Sequence, residues 1–158
     1  MNQPNSGQTN LDEQLDKILD EYENAHNLKF PNFSHDMSPY WNMSRDYIES
    51  LSRNDREEIA MQLAQHSMYI QRLFNRERAR VKFCNASLSN ICAGEWENYR
   101  HIFKDEMKIA AIARENVAAS KLLRIKNHAE IRMQDLEGLP KIIDHLSDLL
   151  MRSAYGKE

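Results

Sequence analysis

Glycine and proline are scarce in this chain, four of each in 158 residues. The glycines (Gly7, Gly94, Gly138 and Gly156) lie near the ends or between apolar-periodic segments. Gly94 and Gly138 stand alone, without the G-x-x-x-x-G-K-S/T context, which excludes a phosphate-cradling loop. Cysteine is scarcer still. Cys84 and Cys92 are two helical turns apart, too far to bridge within one straight helix, and no C-x-x-C is present. They read as reduced, half-buried small hydrophobes of a cytosolic protein, with an intermolecular disulfide the less favoured alternative. No apolar run approaches the 18 or so residues of a membrane span, and no N-terminal run resembles a signal peptide. The expectation is a soluble, cytoplasmic chain with no membrane partner. The six histidines are scattered, with no i, i+4 pair and no H-E-x-x-H. The chain reads as a non-enzyme, with no catalytic residues, no metal and no cofactor.

What remains is helical pattern and charge. From Glu95 to Glu137 there is neither Gly nor Pro, a span well beyond an average helix. Charged residues make up 28%, and sparse breakers with high charge point to long helices packed lengthwise. The predicted fold is all-α: long antiparallel helices in a bundle, completed by oligomerisation. Residues 1–10 are polar and read as a disordered lead. Residues 11–54 read as an acidic arm: Leu11, Leu15, Ile18, Leu19 and Tyr22 recur at helical spacing among six acids. A Pro/Phe loop, Asn27–Pro39, follows, and then a short helix from near Ser38. Ser52 to Asp55 offers a cap for the next helix. Residues 55–158 read as an oligomerisation and DNA-binding domain, with helices expected near 55–93, 95–137 and 140–153. Gly138 and Pro140 mark the last break.

Along the first of these helices, Ile59, Leu63, His66, Ile70 and Leu73 form a heptad seam. A strict continuation demands Glu77, Arg80 and Cys84. A slip to Leu73, Glu77, Val81, Cys84, Leu88 and Ile91 recovers more apolar positions. His66 on this seam reads as a hydrogen-bonded core histidine. A second stripe holds Trp96, Tyr99 and Phe103, and a third holds Ile142, Leu146 and Leu149. These six are the candidate oligomer contacts, although core packing is the plainer role of the third stripe.

Charge is unevenly placed. The net charge is −3, yet residues 1–26 carry −5 and residues 59–94 carry +4. Arg76, Arg78, Arg80 and Lys82, with Phe83, crowd into eight positions. Such a block points either to an anionic partner or to a solvated face paired with the chain's own acidic arm. At 100° per residue, Arg72, Arg76, Arg80 and Lys82 fall within about half the circumference, with Arg78 elsewhere. Cations so placed can track a phosphate backbone while Phe83 stacks on a base. Lys121, Arg124 and Lys126 form a weaker second run. The helix is too long, and lacks the tight turn, for helix-turn-helix readout, which favours single-stranded nucleic acid over duplex.

The run Arg78-Ala79-Arg80-Val81-Lys82-Phe83 resembles the basic-aromatic helix motif of UvsY-type phage recombination mediators, Lys-Ala-Arg-Leu followed shortly by tyrosine. His66-Ser67 precedes it at about the family interval. Gly94 and then Asp105-Glu106-Met107-Lys108 follow in the family's order. The likeness spans about Gln65 to Lys108. Cys84 departs from the family's second aromatic, Lys82 replaces an acid, and the acidic arm has no counterpart. The resemblance implies a helical, ring-forming homo-oligomer that binds single-stranded DNA. It would help load a RecA-like recombinase onto DNA coated with single-strand-binding protein, in a phage-infected bacterial host. The alternative is a helical protein-binding adaptor or chaperone-like subunit with no nucleic-acid role.

Overall fold

The structure is a computed structural model that describes residues 11–27, 33 and 35–156. The expected lead, residues 1–10, and residues 28–32 and 34 of the Pro/Phe loop, including Phe30, lie outside the described residues. Among the described residues there is no strand, and the all-α class holds. The helices are α1 (Leu11–Ala25), α2 (Arg45–Ser50), α3 (Arg53–Glu95), α4 (Asp105–Glu115), α5 (Val117–Leu136) and α6 (Leu139–Tyr155), with 3-10 turns at Ser38–Tyr40 and Trp96–Tyr99.

Local chemistry sets the boundaries. Ser44 caps α2 by accepting from the Tyr47 amide at 3.1 Å. Ser52 and Asp55 form a reciprocal cap at the start of α3: the Asp55 amide donates to the Ser52 hydroxyl, and the Ser52 amide to the Asp55 carboxylate. Gly138 takes φ 81°, which a side chain would strain, and Pro140 follows in the first turn of α6. The single helix expected over 95–137 is corrected. It is a 3-10 turn, a connection through Lys104 and two helices that meet at Asn116. Asn116 has extended backbone and accepts from the Ala119 amide at 3.0 Å, so it ends α4 and caps α5 without glycine or proline.

The chain divides into two compact units, one from Met1–Lys29 with Asn75–Gln134, the other from Phe30–Phe74 with Asp135–Glu158. These cut across the boundary at residue 54 read from the sequence, because α1 packs on the distal half of α3.

In the first unit, Cys84, Leu88 and Cys92 of α3 meet Ile112 and Ala113 of α4 and Ala119, Leu122 and Ile125 of α5. Small residues such as Ala113 and Ala119 let the helix backbones approach closely. Burial pushes the Cys84 and Cys92 thiols above their ordinary range, which leaves both free cysteines unreactive.

In the second unit, Met37, Ile59, Ala60 and Leu63 pack against Ile143 and Leu150 of α6. The Ser67 hydroxyl donates to the Pro140 carbonyl at 3.2 Å, the Ser147 hydroxyl to the Ala60 carbonyl at 2.8 Å, and Arg56 Nη1 to the Ser153 carbonyl at 2.7 Å. Partner numbers rise on α6 as they fall on α3, so the two helices run antiparallel. Phe33 packs on this core, as expected for a loop aromatic.

His66 is ringed by Phe33, Trp41 and Tyr69 at centroid distances of 4.7, 5.7 and 6.2 Å. Its Nδ1 is buried without a hydrogen-bond partner, which corrects the expected hydrogen-bonded histidine. Burial holds its pKa below the usual histidine value. The neutral ring is therefore favoured in the folded state, while the unfolded chain takes up the proton first as pH falls. Stability is expected to decline as pH drops through about 6.5, and to level off once the folded ring also protonates. Denaturant titrations at successive pH values check this. His66→Gln should flatten the slope in that window, and an unchanged slope would remove His66 as its source.

Candidate nucleic-acid interface

The basic block does not form one face. Arg76 and Arg80 turn onto α1, and their side chains are only 13% and 12% exposed. Arg76 reaches Asp16 at 3.1 Å, Asp20 at 2.7 Å and Glu23 at 3.0 Å. Arg80 pairs with Asp16, with Glu77 and, at 3.7 Å, with Asp12. Burial alone would pull the Arg76 guanidinium down. Its hydrogen bonds with Asp20 and Asp16 outweigh that and hold it above its ordinary value. Glu77, itself buried, also meets Arg132 of α5 at 2.9 Å. Five carboxylates thus converge on three guanidiniums and fix the register of α1, α3 and α5. The expectation that Arg80 lies on a wet face is corrected: it is part of the seam.

Arg78 and Lys82 behave differently. One turn apart on α3, both are exposed, and neither forms an ion pair among the described residues. Phe83 beside them is 38% exposed. Over residues 75–93 the exposed positions of α3 are Asn75, Arg78, Lys82, Phe83, Asn85, Ala86, Ser89, Asn90 and Ala93. None is an acid, and amides and hydroxyls flank the two cations. The outer face of α5 repeats the pattern. Lys121, Arg124, His128 and Arg132 are exposed over residues 117–134, and the one acid in that span, Glu130, has a side chain 39% exposed. Lys126 is drawn toward Glu130 at 3.6 Å and is 26% exposed. Arg72 belongs to the other unit, half-buried and engaged with a partner.

The sequence reading therefore grouped the cations wrongly. Arg78 and Lys82 share a face that Arg76 and Arg80 do not. The missed signal lies in the acids: the outward positions of α3 over residues 75–93 carry none, while Glu77 sits among apolar seam positions. Arg132 was missed because its role depends on Glu77 across the helix pair.

The candidate oligomer residues also separate. Trp96 and Tyr99 pack against the first unit's own core. Lys108 lies over the Trp96 ring at 4.6 Å, and the Tyr99 hydroxyl donates to Glu115 at 2.8 Å. Phe103, by contrast, is 97% exposed. On α6, Leu146 packs against the second core, while Ile142 and Leu149 are 66% and 46% exposed. Among the described residues no group of His, Cys, Asp or Glu is arranged to hold a metal ion, and no helix is long and apolar enough to cross a membrane. Comparison with protein-family models, with curated proteins and with solved structures finds no match to this chain.

Proposed function

We propose that this chain binds single-stranded DNA along the outward faces of α3 and α5. In this reading it serves as a recombination mediator, assisting a RecA-like recombinase onto DNA coated with single-strand-binding protein. The observation that carries the DNA part is the run of α3 over residues 75–93, whose exposed positions include Arg78 and Lys82 and no acid, in a chain whose net charge is −3. Arg78, Lys82, Lys121 and Arg124 supply the phosphate contacts, and Phe83 supplies a stacking ring. The mediator role rests on the resemblance at Arg78 to Phe83. A homo-oligomer is part of the same reading, supported by the open apolar side chains Ile142 and Leu149 on α6. It would multiply weak basic patches through effective concentration.

Titration of a labelled oligothymidylate at several salt concentrations, with light scattering for mass, tests this. The Arg78→Ala/Lys82→Ala variant should stay folded, since both side chains are exposed. Its salt slope should fall by about 0.7 for each lost phosphate contact. Phe83→Ala should cost about 1–3 kcal/mol of binding with little change in slope. Equal binding by parent and double variant would overturn the DNA reading. The second reading, a protein-binding adaptor, would then stand on the exposed Phe103.

A further inference from the structure

We infer that α1 is a displaceable cover, a carboxylate ladder that occupies a second phosphate track on α3 formed by Arg76 and Arg80. The inference rests on the single-stranded DNA reading and names how that site is regulated. Asp12, Asp16 and Asp20 stand on one face of α1 at intervals of about 6 Å along its axis, on the scale of successive phosphates in an extended strand. Asp16 and Asp20 bind Arg76, and Asp12 and Asp16 bind Arg80, so the ladder contacts its cations as a backbone would.

Two independent observations mark the cover as detachable. The first is imperfect satisfaction: Asp12 Oδ1 and Arg80 Nε face each other across 3.7 Å, and neither, though buried, has a hydrogen-bond partner. The second is thin apolar attachment. Leu15 is the one fully buried apolar residue of α1, Leu11 packs on the first core and Leu19 is half-buried, whereas Ile18 and Tyr22 are each 56% exposed. A helix of 15 residues is marginal alone, so once its ion pairs are exchanged it has little to hold it. Asp12, Asp16 and Asp20 are 37–50% exposed, so salt and competing anions reach them. A strand first held at Arg78 and Lys82 is positioned on the same helix to take over Arg76 and Arg80.

The test uses the full chain. Hydrogen exchange with and without saturating oligothymidylate should show the α1 amides losing protection at least tenfold, while the distal half of α3 stays protected. In parallel, Asp16→Asn/Asp20→Asn should bind the oligonucleotide at least tenfold more tightly, with a salt slope steeper by about 1.4 for two added phosphate contacts. A control, Glu13→Gln/Glu21→Gln, removes as much charge from exposed positions and should leave the slope unchanged. If DNA binding depends on Arg78 and Lys82 but α1 keeps its protection, α1 is fixed structure and this inference alone fails. An increase in slope equal to the control's overturns it too. If neither parent nor variant binds, the DNA reading falls, and the cover with it.

Discussion

Arg80→Ala is expected to destabilise the chain by about 3–5 kcal/mol, the cost of removing one member of a buried charge cluster. The guanidinium is 12% exposed and answers Glu77, Asp16 and Asp12. Without it these carboxylates face one another, and Glu77 retains only Arg132. A thermal melt should shift downward by on the order of 10 °C. Arg78→Ala, two residues away but exposed, should move it hardly at all. Replacing Glu77 and Arg80 together by methionine should recover much of the loss, because matched apolar groups are not penalised as a lone charge is. Equal melting temperatures for Arg78→Ala and Arg80→Ala would show that the cluster contributes nothing.

The second large effect is Leu63→Ala. Leu63 is 0% exposed and packs with Met37, Ile59, Ala60, Ile143 and Leu150. Truncation should cost about 2–5 kcal/mol through lost burial and the cavity left behind. Leu63→Met, which nearly conserves volume, should cost less than about 1.5 kcal/mol. Trp41 lies in the same unit and Trp96 in the other. A denaturant titration followed through Trp41, with Trp96 replaced by Phe, reads the loss where it arises. A midpoint unmoved in Leu63→Ala would mean that the core closes over the gap or is not packed as described.

Much of this architecture was legible in residue spacing. The apolar period of α6, the Ser52 cap and the Gly138 break each follow from short-range chemistry that one chain segment contains. The false continuity over residues 95–137 came from treating glycine and proline as the only stops. Asn116 ends a helix with a side chain that also fits a helix interior, so its choice depends on how α4 and α5 pack. The basic block shows a different limit. Strict heptad spacing points to Glu77, Arg80 and Cys84, and the slip that recovers more apolar positions keeps Glu77 and Cys84 but sets Val81 in place of Arg80. The structure buries Glu77 and Cys84 and most of the Arg80 side chain, with the acids of α1 making this tolerable. Charge complementarity between segments some 60 residues apart is invisible to a local period. Net charge by segment, −5 against +4, was the trace it left.

The interleaving of the two units has a consequence for biosynthesis. Neither unit is a continuous stretch of chain, and the second draws Ile143 and Leu150 from its last segment. At about 5–20 residues per second, the roughly 80 residues between Leu63 and Ile143 take about 4–16 s to be made. For that interval Ile59 and Leu63 have no α6 to pack against. Chaperone capture or premature association of nascent chains would concentrate on the exposed Ile59–Leu63 seam.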